Sequence, residues 1–293
     1  MKYALFLGCT VPIRAQNYEL SARGVAKSLG IELIDVEDFS CCGFPVKSAD
    51  YKTATLIAAR NLAIASELGL NICTLCSACT SVLTETNMKL SNDISFARET
   101  NRELEKIGRR FNHSVRVRHF VRILYEEIGV DAIKQHIKRE LSTWKLAAHH
   151  GCHFLKPKEI YEGFNDSEDP KALGELIKVT GANLVQYERE SLCCGGAILG
   201  VDENISLTMA GEKLKNVKEV GADGLILMCP FCNVMYDDNQ RKIGEKFNTD
   251  FDIPIMYYPQ ILGLALGFDP RDLGFRINKV RVDKLFAKLE QVH

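Results

Sequence analysis

Short apolar runs recur at matching places in the two halves of the chain, each one stopping at a glycine or a cysteine. Tyr3 to Cys9 and Lys145 to Cys152 both end in Gly-Cys. Runs of this kind without strict alternation predict strands covered on both faces. A helix-like stretch follows in each half and stops at Gly30 or Gly181, placed as C-caps. Then come the mixed segments Ile31 to Val36 and Ala182 to Tyr187. A second amphipathic stretch ends at Gly69 or Gly221 and leads into the apolar runs Leu70 to Leu75 and Gly224 to Met228. Finally Val115 to Leu124 matches Ile253 to Leu262, a strand turning into a helix. Strand alternating with helix predicts a parallel sheet, and the repetition predicts two of them.

The expected organisation is therefore α/β, with two similar Rossmann-like units related by a pseudo-twofold axis. Residues 1–130 form the first unit, 131–143 a charged helical linker and 144–268 the second unit. The first carries an excess segment at about 88–110, charged and helix-favouring, which reads as a solvated helical arm. In the tail, 269–293, Val280, Val282, Leu285, Phe286 and Leu289 alternate with basic residues, which predicts an amphipathic terminal helix packed on its own domain.

Composition narrows the classes. A chain of 293 residues that is 46% hydrophobic can build two real cores, and a net charge of -1 gives no reason to expect nucleic acid or an anionic membrane as partner. No apolar run reaches the length of a membrane span, and the first residues are too short an apolar stretch for a signal peptide, so a cytoplasmic protein is expected. An odd cysteine count and vicinal pairs then point to thiolate ligands in a reducing compartment.

Ten of the eleven cysteines fall into two copies of one pattern. The first is Cys9, then Cys41-Cys42-Gly43, then Cys76 and Cys79; the second is Cys152, then Cys193-Cys194-Gly195, then Cys229 and Cys232. Each group stands where a strand should end, which is where ligands gather in open α/β sheets. Zinc takes four ligands and staples small folds, whereas each unit here offers five cysteines and its own core. Iron-sulfur clusters fit better, because adjacent thiolates can serve neighbouring irons. Cys73 lies outside the scheme and could form a rival Cys-x-x-Cys with Cys76. The repeat and its place in a strand favour a buried, inert thiol.

The Cys-Cys-Gly pairs, together with Leu7 to Arg14, Ala58 to Ala63, Leu75 to Cys79, His150-Gly151-Cys152-His153 and Cys229-Pro230-Phe231-Cys232, resemble the B-type subunit of heterodisulfide reductase over Met1 to about Gln240. The resemblance implies reduction of the mixed disulfide of coenzyme M and coenzyme B in methanogenesis, between two non-cubane [4Fe-4S] clusters. Carried over, Cys9, Cys41, Cys42, Cys76 and Cys79 hold one cluster, and Cys152, Cys193, Cys194, Cys229 and Cys232 the other. It also implies partners: the ferredoxin-like C-type subunit and the flavin-bearing A-type subunit of heterodisulfide reductase, joined to a hydrogenase or formate dehydrogenase. The chain has no Gly-x-Gly-x-x-Gly after a strand and no P-loop, so electrons must come from another polypeptide. Cys-Cys-Gly units also occur in iron-sulfur subunits of 2-hydroxyacid, glycerol-3-phosphate and succinate oxidoreductases, where such a unit relays electrons. A zinc-holding scaffold is the non-enzymatic reading.

Cleaving a disulfide takes two electrons while a cluster moves one, so twin centres facing one another across a pseudo-twofold axis suit the task. His153, beside Cys152, is a candidate proton donor or else a hydrogen-bond partner of cluster or backbone; the first unit has Thr10 there. His149 and His150 lie in the strand and read as structural. Arg14, Lys47, Lys156 and Lys158 are candidates for binding the anionic ends of the substrate, and the Gly195-Gly196 pair is a further possible anion site.

Overall fold

A computed structural model describes residues 1–161, 163–164 and 166–290. It contains two four-stranded parallel sheets, ordered β2-β1-β3-β4 and β6-β5-β7-β8. In the first sheet these are β1 (Lys2–Phe6), β2 (Glu32–Asp35), β3 (Asn71–Thr74) and β4 (Val117–His119). In the second they are β5 (Lys145–His149), β6 (Asn183–Val185), β7 (Gly224–Leu227) and β8 (Ile255–Tyr257). The registers match, with Tyr3 beside Leu33 and Asn71 in one sheet and Leu146 beside Leu184 and Gly224 in the other. The central strands are buried beyond their first residues, as helices on both faces require, while the edge strands β2 and β6 keep partial exposure. The helices Gln16–Ser28, Tyr51–Leu68, Ala172–Val179 and Glu203–Glu219 end within two residues of the glycines expected to stop them.

The units pack directly on one another. Helix Tyr258–Ala265 lies against Gln16–Ser28, and the turn Cys152–Phe154 against Ser77–Asn92. Tyr18 of the first unit stacks on Tyr257 of the second with ring centroids 4.1 Å apart, and His119 meets Phe154 edge-on at 5.2 Å. Each fully buried aromatic contributes roughly 1.5–3 kcal/mol of burial energy, so the interface is part of the core. It holds the two carboxyl-end faces together.

Three expectations need correction. The segment at 88–110 is no solvated arm: Ser77–Asn92 runs into it, and Ile94–Glu105 folds back with Thr100 and Leu104 buried and Phe96 and Ala97 against the core. Its apolar stripe outweighs its charge. The linker is helical only over Val130–Gln135; beyond it the backbone amides of Lys138 and Arg139 bond to the carbonyl of Ala265, and Leu141 is buried. Within the tail, among the described residues, only Asp283–Glu290 is α-helical. Before it the chain is pinned by side chains, because Asn278 donates to Ile255 O and Gln260 donates to Asn278 Oδ1 and to Leu273 O, bonds that compete with a helix. Trp144 Nε1 ties the helix down through Leu285 O at 2.9 Å. Asn17 donates to Asn278 at 3.1 Å, so the tail also touches the first unit. Residues 291–293 of the expected tail helix lie outside the described residues.

Candidate metal centre

Each strand-end loop delivers its cysteines for a local reason. Cys76 and Cys229 are the N-cap residues of helices Ser77–Asn92 and Pro230–Asn233, in extended backbone beside the first unpaired amides. In each Cys-Cys-Gly the glycine must turn left-handed, with φ of 91° at Gly43 and 81° at Gly195. A Cβ there would lie 2.5 Å from Ala54 O or 2.9 Å from Ser206 O, so the turn presses on the helix that follows. Their amides, in turn, donate to Cys41 Sγ and Cys193 Sγ at 3.4 Å each.

The ten cysteines follow one another as neighbours in a mirror order, and three of the links are direct sulfur contacts. Cys9 meets Cys41 at 4.0 Å; electrostatic influence then links Cys41 to Cys42, Cys42 to Cys79, and Cys79 to Cys76. Cys76 and Cys229 act on one another electrostatically across the unit boundary. From there the order mirrors itself: Cys229 to Cys232, Cys232 to Cys194 at 3.4 Å, Cys194 to Cys193, and Cys193 to Cys152 at 3.9 Å. The order reads the same in both directions, with Cys76 and Cys229 at its centre. Cys73 is buried outside it, its thiol pushed up by burial and by Glu127.

Charge cannot be spread evenly along such a string. Cys42 is lowered to about 4 by donation from Cys41 and Cys79, and Cys193 to about 2 by Cys152 and Cys194. Their neighbours move the other way, Cys194 up to about 12 because of Cys193, and Cys9, Cys76, Cys79, Cys152 and Cys232 well upward. A few thiolates are accommodated while the rest must keep protons. Only cations bound among the sulfurs would let all of them ionise. Five thiolates per nest, mostly buried and crowded by glycine (a Cβ on Gly8 would stand 3.1 Å from Cys79 Sγ), suit a polynuclear iron-sulfur group better than a single four-coordinate ion.

Several neighbours of the nests carry no site signal in the sequence. His149 Nε2 lies 3.2 Å from Cys232 Sγ, and one ligand atom each from His149, Cys194 and Cys232 falls within 4.8 Å of the others. Tyr18 Oη and His119 Nε2 of the first unit both reach Met228 O, each at 3.0 Å, and so fix the loop that presents Cys229. For His149 the one available hint is a ring placed three residues before Cys152; the cross-unit bonds leave none.

The basic candidates disperse. Lys47 is paired with Glu85 at 2.5 Å and lines a cleft of about 780 Å³ between the units. That cleft is walled by Phe44 and Pro45 just beyond the first Cys-Cys-Gly, by Gly196 and Leu199 just beyond the second, and by Phe231. Arg14 pairs with Asp238 across the boundary at 3.6 Å, Lys156 with Glu168 at 3.0 Å, and neither lines the cleft. Lys158 is exposed in the turn Lys158–Tyr161, also away from it. His153 meets Phe44 edge-on at 4.9 Å, and Tyr161 Oη donates to its carbonyl. His150, its Nδ1 3.5 Å from Glu190 Oε1 and its ring kept neutral by burial, faces a separate hollow, and the Gly196 amide donates to Cys194 Sγ rather than standing free for an anion.

The cysteine-rich domain family matches the chain twice, at residues 3–84 and 146–237. The chain is 35% identical over 99% of its length, and 98% of the other protein's, to the B-type subunit of the ferredoxin/F(420)H(2)-dependent CoB-CoM heterodisulfide reductase of Methanosarcina acetivorans. It belongs to the family of heterodisulfide reductase B-type subunits. Membership makes it an iron-sulfur oxidoreductase component. Similarity extends, at 30% identity over 97% of this chain and 99% of the relative, to the 8-methylmenaquinol:fumarate reductase membrane anchor subunit of Wolinella succinogenes. No helix among the described residues of the present chain is long and apolar enough to cross a membrane. A hypothetical protein of Helicobacter pylori shares the fold, with a TM-score of 0.78 and 16% identity over 96% of this chain and 52% of that one.

Proposed function

We propose that this chain is the disulfide-cleaving subunit of a heterodisulfide reductase, acting on the mixed disulfide of coenzyme M and coenzyme B. The mirror order of the two cysteine nests, beside a cleft walled by the residues that follow both Cys-Cys-Gly turns, carries the reading. Cys9, Cys41, Cys42, Cys76 and Cys79 would hold one non-cubane [4Fe-4S] cluster, and Cys152, Cys193, Cys194, Cys229 and Cys232 the other. When bound, these supply one electron each and Lewis-acidic iron for a departing thiolate. The balance is one S–S bond broken, two electrons and two protons taken up, two thiols released.

The chain's own residues then have definite tasks. Phe44, Phe231 and Leu199 exclude water along the cleft and seat the alkyl parts of the substrate. Lys47 Nζ exchanges Glu85 for an anionic end of the substrate. His153, held by Phe44 and by the Tyr161 hydroxyl, donates a proton to one departing sulfur. Electrons arrive from the ferredoxin-like C-type and flavin-bearing A-type subunits, with a hydrogenase or formate dehydrogenase upstream, in the cytoplasm.

A relay role beside a fumarate- or succinate-handling partner is the second reading, supported by the Wolinella relative. Oxidation of a reduced viologen dye by the heterodisulfide separates the two. Turnover is expected with the purified chain carrying its iron, and iron-replete protein inert toward the heterodisulfide would leave the relay.

A further inference from the structure

The two nests match in backbone and ligands but not in the side chains behind them. Three residues before the first cysteine of each nest stands Phe6 in one unit and His149 in the other. Phe6 is hydrocarbon; His149 brings Nε2 to 3.2 Å from Cys232 Sγ, and toward a thiolate that nitrogen is the donor. Four residues beyond the last cysteine stands Leu83 in one and Tyr236 in the other, its hydroxyl fully buried with no partner. Tyr236 meets His149 edge-on at 5.0 Å, and Cys194 and Cys232 are among the groups that push its phenol up after burial itself.

The third difference is a charge. Nineteen residues beyond the Cys-Cys stands Asn61 in the first unit, bonding neutrally to Ser40 N and Cys41 O. Its counterpart is Lys213, 1% exposed, donating to Glu190 O at 2.7 Å and Arg189 O at 3.2 Å just before Cys193. Burial pulls Lys213 down to about 8, while Cys232, Glu190 and Cys194 hold it up. A buried cation and donors to sulfur both favour the more negative, reduced state of a metal-thiolate centre. Glu190, its carboxyl raised to about 7 by burial, offsets part of the Lys213 charge. One further feature opposes them: Cys9 is exposed where Cys152 is half-buried. It affects the outermost of five ligands, whereas His149, Tyr236 and Lys213 bear on the buried Cys194 and Cys232.

We infer that the two centres are unequal: Lys213 and His149 hold the second nest at the higher reduction potential, so a single electron entering the chain settles there before both centres are reduced. This rests on the proposed iron-sulfur occupancy of both nests. His149 and Lys213 are positioning residues, acting through ligand sulfur rather than on substrate.

The test is an anaerobic potentiometric titration of the full chain with its native iron, followed by electron paramagnetic resonance, on exchanges that give each unit the other's residue. Wild type should show two separated couples. Lys213→Asn and His149→Phe should each lower only the higher couple, by roughly a tenfold change in electron occupancy, about 59 mV for one electron. Lys213→Arg should restore it, and Asn61→Lys should raise the lower couple instead. Coincident couples in wild type, or exchanges in the second unit that move the lower couple or neither, overturn the inference while leaving two clusters in place. Protein without iron and acid-labile sulfide would instead sink the occupancy on which it rests. A Lys213→Asn chain that fails to accumulate leaves the decision to Asn61→Lys and His149→Phe: no movement of either couple in those two overturns it.

Discussion

Phe6 ends the central strand of the first unit and His149 ends that of the second, on otherwise superposable sheets with the same order and register. What the duplication kept is backbone: the left-handed turn at Gly43 and Gly195, the amide bonds to Cys41 and Cys193, the helix starts at Cys76 and Cys229. What it let drift is the side-chain shell. Ligand geometry is thus set by backbone that the two units share, while the side chains around each nest differ.

The comparison is broken most severely by removing a ligand from either side. Cys42→Ala and Cys194→Ala are each expected to reduce heterodisulfide turnover by on the order of a thousandfold or more, with the opposite nest still giving its spectrum, since one centre cannot deliver both electrons. Turnover that survives in one of the two would show that the halves do not share the chemistry. Next come the turns. Gly43→Ala forces a Cβ to 2.5 Å from Ala54 O, and Gly195→Ala to 2.9 Å from Ser206 O, both at positive φ. Left-handed strain plus overpacking costs roughly 2–5 kcal/mol, and Gly43 should be the worse of the pair in thermal inactivation.

Lys47 lines the cleft from the first unit, with Gly200 and Val201 of the second also on its wall. Lys47→Met is expected to raise KM for the heterodisulfide about tenfold, the loss of one charge-assisted bond of about 1.5 kcal/mol, with kcat little changed. A fall in kcat at constant KM would move Lys47 from binding to the reaction itself. The smallest effect belongs to the cross-unit tie: Tyr18→Phe removes one of two donors to Met228 O and should cost about 1 kcal/mol of stability, while His119→Ala on top of it should cost more than the two singly summed.

Much of this was legible along the chain because the decisive signals are local. Apolar runs broken by Gly30, Gly69, Gly181 and Gly221 gave the strand and helix order, and the repeated cysteine spacing gave the nests' composition. The electrostatic link between Cys76 and Cys229 depends on how two domains dock, and no spacing encodes it. The same holds for Tyr18 and His119 reaching Met228 from another unit. His149 escapes a sequence reading for a different reason: a histidine in a buried strand is usually a satisfied core residue, and only the position of Cys232 distinguishes it. The charged segment that became Ile94–Glu105 misleads because its few apolar positions are outvoted by its charges, although Leu104, Phe96 and Ala97 seat it on the core. In the tail, Asn278 organises three neighbours through its amide, a tertiary arrangement that helical periodicity could not foretell.

The central claim is that two sulfur nests, meeting at Cys76 and Cys229, each hold an iron-sulfur cluster beside one cleft. Iron and acid-labile sulfide, measured on the anaerobically purified chain and on its Cys42→Ala and Cys194→Ala forms, test it most directly. The account predicts equal iron and sulfide at the level of two four-iron clusters per wild-type chain, and half of that in either variant. Zinc in place of iron, absence of sulfide, or variants that keep the full complement would contradict it.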